Sequence, residues 1–281
     1  MKKIIIIPNE TKDVGLMVTK KLIDELINNA EIFMEEKFSD VGLNVKYLND
    51  SELYKNAELV IVLGGDGTML NVAEPCGRMN IPILGINLGK VGFMAEVNVC
   101  DIKNAVEAVL SENFKIQKRM MLDIRVIKNG LETANYCALN DVVVSKSDAP
   151  MIDIVVYADD EKINEYKADG LIISTPTGST GYSLSAGGPV ADPSMELFIA
   201  SPICPHNLHA RPTLMSCTKT IELQLSEELG HKASVSVDGN TKEHITLGDK
   251  IIIKKSEYYV NIIKIGSQSF YDVLVEKLRW F

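Results

Sequence analysis

The sequence predicts an α/β N-terminal domain, a doubly wound, Rossmann-like parallel sheet, followed by an all-β C-terminal domain of β-sandwich type. Three observations predict it. The run Leu59-Val60-Ile61-Val62-Leu63 is apolar, rich in β-branched residues and too short for a helix, which suits a strand buried on both faces. Up to Lys115, strand-like and helix-like patterns alternate as in βαβ units. Beyond Lys115, short alternating segments take over.

Lys3 to Ile7 opens the chain as a strand, and a long polar-apolar stretch from Asp13 to Phe38 follows as its helix-like partner. Asn44 to Leu48, Leu59 to Leu63 and Ile81 to Ile86 read as further strands, with a helix opening at Thr68 and another over Ile102 to Leu110. The β region contributes Met121 to Ile127, Asp141 to Ser145, Ile152 to Tyr157, Leu171 to Ser174, Ile221 to Leu225, Ala233 to Val237 and Lys250 to Ile253. Tyr271 to Leu278 is helical again and is expected to pack back on the first domain, since nothing in the β region requires a helix there. The expected domains are therefore 1–116 with 266–281, and 117–265.

A chain of 281 residues accommodates about two domains, each with its own core. The five cysteines are odd in number and lack a C-x-x-C pair, and the apolar run Ile4 to Ile7 is too short for a signal peptide. A cytoplasmic protein with reduced thiols is expected. The apolar stretches are strand-sized, well below the roughly 20 residues of a spanning helix, so no membrane partner is expected. A formal net charge of -9 gives no basic face for nucleic acid. An anionic ligand must then be held by backbone donors, a few cations or a metal.

Gly64-Gly65-Asp66-Gly67-Thr68, directly behind the Leu59 to Leu63 strand, is the most informative string. Its glycines let the backbone turn sharply and approach a ligand closely. The free N–H groups of a helix opening at Thr68 suit a phosphate. A phosphate cradle has no electrostatic reason to hold a carboxylate, so Asp66 either binds a divalent cation or accepts a proton, which points to phosphoryl transfer. The alternative is an ordinary tight turn with Asp66 bonding its own backbone.

The second dense region runs from Asp169 to Pro189, where a strand enters a segment of small hydroxyl residues and glycines. Such a segment offers many donors without bulk and can wrap a ligand rich in oxygen. A plain Ser/Gly-rich connection is the competing reading.

Gly64 to Thr68, Asn87-Leu88-Gly89-Lys90-Val91-Gly92-Phe93, Leu139-Asn140-Asp141, Asp169 to Pro189 and Cys204-Pro205-His206 occur in an order and spacing that resemble the NAD kinase family. Lipid kinases of the diacylglycerol and sphingosine type carry strings like the first. The Thr175 to Pro189 string is what singles out NAD kinases. The resemblance spans most of the chain and implies transfer of the terminal phosphoryl of ATP, with a divalent cation such as Mg²⁺, to the 2′-hydroxyl of the adenosine ribose of NAD. It implies Asp66 as proton acceptor, with Gly65, Gly67 and Thr68 around the phosphates. Asn140 and Asp141 occupy the family's Asn-Glu pair, implied to contact adenine and ribose, and Asp141 is one methylene shorter than the usual Glu. Phe93, Asp169, Thr177, Thr180, Gly181, Tyr182 and Ser185 match positions that line the dinucleotide pocket, Gly181 standing where Ala is frequent. Asp238 matches an acid that other family members bring near the site across a subunit interface; by itself Asp238-Gly239 reads as a hairpin turn. A homodimer or homotetramer is implied as well. The resemblance leaves the residues that hold the metal unassigned.

Other strings rank lower. Cys204, His206 and His209 form C-x-H-x-x-H, but Pro205 stiffens the segment and no fourth zinc ligand is near, so packing and a hydrogen bond to a neighbouring carbonyl are expected. The Walker string is absent, as is G-x-G-x-x-G from the first βα turn. Lys90 is a possible phosphate partner, though a lone exposed lysine is ordinarily just solvated. The expected activity is ATP-dependent phosphorylation of NAD, with a lipid kinase sharing the glycine turn as the alternative and a silent dinucleotide sensor as a third reading.

Overall fold

A computed structural model describes residues 1–55, 57–147, 150–226 and 232–278. The chain divides into two units, Met1–Lys118 with Tyr259–Phe281, and Arg119–Tyr258.

The first unit contains strands β1 (Lys2–Pro8), β2 (Ala30–Glu35), β3 (Lys46–Leu48), β4 (Leu59–Gly64), β5 (Ile83–Asn87) and the short β6 (Val97–Asn98). Helices α1 (Met17–Leu26), α2 (Asp50–Leu53), α3 (Asp66–Met79) and α4 (Ile102–Leu110) lie between or after them. The sheet is parallel in the order β5-β4-β1-β2-β3, with Ile4 opposite Leu59 on one side and Ala-to-Glu strand β2 on the other, where Ile4 faces Ile32. Helices cover both faces. Leu22 and Leu26 of α1 and Ile102, Val106 and Val109 of α4 join Ile4, Ile6, Ile61 and Ile86 in one core. On the opposite face Met69 of α3 rests against Gly85, whose neighbours Leu84 and Ile86 point into that first core. Burial on both sides is why these strands are continuous apolar runs and do not alternate.

The Asp13 to Phe38 stretch is where the sequence expectation needs correction. Only Met17–Leu26 is α-helical, and Ala30–Glu35 is a strand. Its buried Ile32, Phe33 and Met34 sit between glutamates and imitate the polar-apolar texture of a helix, but pairing with β1 decides the matter.

The second unit is antiparallel. It takes most of β7 (Lys115–Lys128), then β8 (Leu131–Ala138), β9 (Asp141–Lys146), β10 (Ile152–Ala158), β11 (Glu161–Ala168) and β12 (Gly170–Ser174). The short helix α5 (Tyr182–Ser185) follows, then β13 (Leu197–Ile203), β14 (Thr213–Ser216), β15 (Ile221–Leu225), β16 (Ala233–Val237), β17 (Asn240–Ile245) and β18 (Lys250–Lys264). One sheet runs β14-β13-β12-β9-β16-β17; β11, β10, β15 and the first part of β18 form another run, and β7 and β8 a hairpin. The two layers touch where β10 meets β12, β11 meets β13 and β8 meets β16. β11 exposes Glu161, Lys162, Asn164 and Lys167, a composition that hides a strand from sequence reading.

The boundary after Tyr258 falls inside β18, so no change of composition marks it. Ile262 in the later part of that strand pairs with Ile83 of β5. Helix α6 (Phe270–Leu278) belongs to the first unit, with Val273 and Leu274 buried.

Candidate active site

In the first unit the strand order reverses between β1 and β4, which run on to β2 and β5 on opposite sides. Open α/β sheets bind ligands outside the carboxyl ends of strands at such a switch point. The glycine turn leaves β4 there, and Asn9, following β1, donates its N–H to Leu63 O at 2.7 Å. Helix α3 begins at Asp66, two residues before the sequence reading, with Gly65 as its cap and no side-chain capping bond. Gly65 O already accepts the N–H groups of Thr68 and Met69, at 2.9 and 3.1 Å. Thr68 is buried, and its hydroxyl accepts the Asn9 side-chain amide at 2.9 Å.

Asp66 is bound more closely than its position in the string suggests. Its Oδ2 accepts the N–H of Phe93 at 2.9 Å, and its Oδ1 accepts those of Met94 and Ala95 at 3.0 and 3.2 Å. A carboxylate has about four acceptor sites. Three are taken by one short loop, and the remaining one is on Oδ2. The Gly92 to Ala95 segment is thus clamped onto the start of α3. The Phe93 ring, expected to lie against a heterocycle, meets the Phe270 ring of α6 at 5.7 Å between centroids and the Lys277 ammonium at 5.0 Å. Lys90, in the same loop, is exposed.

In the second unit an analogous clamp orders Leu139-Asn140-Asp141. Asp238 and Gly239 both have positive φ, 46° and 79°, and form the tight turn joining β16 and β17. The Asp238 carboxylate accepts the N–H groups of Leu139, Asn140 and Asp141 at 2.8, 2.8 and 3.1 Å. From the other side Thr175 N–H donates to Asn140 O at 2.9 Å, and the Thr175 hydroxyl donates to Leu139 O at 2.6 Å. Gly178 passes so close that a side-chain carbon there would stand 2.2 Å from Asn140 O. Burial, and then the nearby Asp238 carboxylate, push the Asp141 carboxyl up to about 7.

Asn140 Oδ1, Thr177 Oγ1 and Ser174 Oγ are buried without a hydrogen-bond partner. Buried polar atoms of this kind are costly to leave unpaired, so they mark where a polar ligand belongs. Gly181 sits next to Asn140, its missing side-chain carbon 3.7 Å from Asn140 Nδ2. Thr180 folds its hydroxyl back onto Thr177 O at 3.3 Å. Tyr182 and Ser185, on α5, are exposed. Asp169 stands at the far end of β12 from Thr175 and pairs with Lys146 at 2.7 Å. The structure therefore gathers Asn140, Asp141, Thr177, Thr180 and Gly181 and leaves Asp169 a strand's length away.

Asp238-Gly239 is the hairpin turn its sequence suggests, but the grip of the Asp238 carboxylate on residues 139–141 and the close approach of Gly92 to Asp66 leave no local mark in the sequence and were missed. The packing role expected for Cys204, His206 and His209 is overturned, since all three are exposed. Among the described residues no group of three or more His, Cys, Asp or Glu side chains gathers to hold a metal ion.

Residues 5–114 match the ATP-NAD kinase N-terminal domain and residues 139–265 the ATP-NAD kinase C-terminal domain. The chain is 40% identical to the NAD kinase of Caldanaerobacter subterraneus subsp. tengcongensis and 38% identical to that of Acetivibrio thermocellus. Each match covers 99% of this chain, and 99% and 97% of the relative. Among solved structures, an NAD kinase from Archaeoglobus fulgidus in complex with ATP aligns with a TM-score of 0.74 at 25% identity, covering 99% of this chain and 98% of that one. Yeast NADH kinase complexed with NADH aligns at 0.89 and 22% identity, covering 100% and 88%, a likeness of fold.

Proposed function

The chain belongs to the ATP-NAD kinase family, and from that premise we propose the roles its residues play. It transfers the terminal phosphoryl group of ATP to the adenosine-ribose 2′-hydroxyl of NAD, giving NADP. Both halves of the chain and its full-length relatives fall to NAD kinases, which removes the lipid-kinase alternative.

Phosphoryl transfer asks the protein mainly for positioning and charge stabilisation. The glycine turn at the start of α3 receives the donor phosphates. Asp66 uses the one acceptor site left on Oδ2 to take the proton of the attacking hydroxyl as the new P–O bond forms and ADP departs. Asn140, Asp141, Thr177, Thr180 and Gly181 bind NAD, with the unpaired Asn140, Thr177 and Ser174 oxygens as its hydrogen-bonding partners. Asp169, Tyr182, Ser185 and Phe93 stay in the proposal as residues that line the dinucleotide pocket, supported by the family resemblance.

A divalent cation belongs to the same proposal. Mg²⁺ ordinarily takes one or two carboxylates and completes its shell with water and substrate phosphates. The donor's phosphate oxygens and water would supply most of that shell here, since the one acceptor site left on Asp66 is given to the proton. When bound, the ion would offset the charge on those phosphates. A cytoplasmic location and a homodimer or homotetramer complete the proposal. Among the described residues no helix is long and apolar enough to cross a membrane.

The observation that carries the reading is a carboxylate with one free acceptor site inside a glycine turn at the start of a helix, in a chain alike over its whole length to NAD kinases. The test is purified protein with NAD, ATP and Mg²⁺, followed by an NADP-specific dehydrogenase. NADP is expected with Mg²⁺, none in excess EDTA, and recovery on adding Mg²⁺ or Mn²⁺. Full turnover in EDTA would remove the metal from the mechanism.

A further inference from the structure

We infer that Lys12 supplies the cation that meets the polyphosphate chain of the phosphoryl donor at the glycine turn. The inference rests on reading that turn as the donor-phosphate site. Lys12 lies in the connection leaving β1, the strand beside β4, so the two loops emerge together where the strand order reverses. A side-chain carbon on Gly65 would stand 3.3 Å from Lys12 Nζ, which places the ammonium group directly over the turn's backbone.

The approach is built. Asn9 accepts the Lys12 N–H on its side-chain Oδ1 and on its carbonyl, both at 3.1 Å, and accepts the Thr11 hydroxyl at 2.7 Å. The same Asn9 side chain donates to Thr68 Oγ1 in the first turn of α3. One amide thus ties the Lys12 backbone to the glycine turn.

The ammonium group is also uncommitted. No carboxylate among the described residues pairs with it. The acids around it are engaged elsewhere. Glu10 faces Lys37 at 3.7 Å. Asp13 accepts the amides of Val18 and Thr19 and the Thr19 hydroxyl. Asp66 holds Phe93, Met94 and Ala95. A lysine is a compact point charge suited to a phosphate that moves during reaction, and this one stands where a donor chain would pass. In a chain of net charge -9 a local cation is needed to draw a polyanion in.

The experiment compares wild type with Lys12→Ala, Lys12→Arg and Lys12→Glu in steady-state assays, with ATP binding measured separately by calorimetry without NAD. The expected result for Lys12→Ala is an ATP Michaelis constant raised about ten- to a hundredfold, as for loss of one charged hydrogen bond, with the NAD constant within twofold of wild type. Lys12→Arg should recover most of the affinity and Lys12→Glu should lose more than Ala. Added KCl should weaken ATP binding less steeply in Lys12→Ala than in wild type. The side chain is exposed, so the variants should melt with wild type. An Ala variant that binds ATP as wild type does overturns the assignment, as does equal loss of NAD and ATP affinity. A wild-type enzyme that makes no NADP from NAD and ATP would instead overturn the function on which the inference stands.

Discussion

A side-chain carbon on Gly92 would fall 2.0 Å from Oδ1 of Asp66. Gly92 is therefore what lets the 92–95 loop lie against the start of α3 and give three amides to one carboxylate. Asp66 could swing aside from a larger residue only by releasing Phe93, Met94 and Ala95, two of which are buried.

Gly92→Ala should consequently behave as a variant of the Asp66 site although its own side chain does no chemistry. Turnover should drop at least tenfold, and stability by about 1 to 3 kcal/mol for charged hydrogen bonds lost. Thermal melting and kcat on one preparation check both. An alanine variant with wild-type melting and turnover would show that the loop readjusts without releasing Asp66.

Asp66→Asn replaces one carboxylate oxygen by an NH₂ group, which must confront at least one backbone N–H of the loop. Turnover should fall by ~10²- to 10⁴-fold for loss of the proton acceptor. The melting temperature should fall too, contrary to what a simple turn residue predicts, because donor now meets donor. Near-normal turnover in a folded Asn variant would leave Asp66 as a loop clamp alone.

Asn140→Ala should raise the NAD Michaelis constant roughly ten- to a hundredfold, in line with ~1 to 3 kcal/mol for a buried hydrogen-bonding partner, and leave kcat nearly unchanged. The backbone clamp from Asp238 and Thr175 survives the change. A lost kcat at normal NAD affinity would move Asn140 from binding to the chemical step.

Asp141 makes stability depend on pH. Its folded-state value of about 7 lies above the ordinary 3.8, so the folded protein keeps a proton that the unfolded chain has released. Stability from this group is therefore intact below about pH 4, falls as pH rises through that window and bears its full penalty above about 7. Asp141→Asn should unfold at higher denaturant than wild type at pH 8, by an amount on the order of a few kcal/mol, and match it near pH 4. A gap that widens toward acid would reverse the sign and refute the buried-proton account.

The parallel sheet was legible because Leu59 to Leu63 and Ile4 to Ile7 are β-branched runs with helix patterns between them. β2 was not, since Ile32, Phe33 and Met34 are few and framed by glutamates, and only alignment beside β1 selects a strand. In the site, Gly64 to Thr68 and the Thr175 to Thr180 segment were legible as ligand-facing turns because close backbone approach demands small residues in the local string. The exposure of Tyr182 and Ser185 and the distance of Asp169 from Asn140 were not, because neither depends on neighbours in sequence.

By itself the sequence determined the α/β-then-β order, the turn that carries Asp66 and the family to which the chain belongs, since periodicity, turn chemistry and motif spacing are properties of short stretches of chain. Only the tertiary structure decided that Asp66 grips residues 93–95, that Asp238 grips residues 139–141 and that Lys12 reaches Gly65. Each of these joins segments far apart in the chain. A carboxylate finds its amides, and an ammonium its glycine, only after the strands between them have packed and set the ends of two loops side by side.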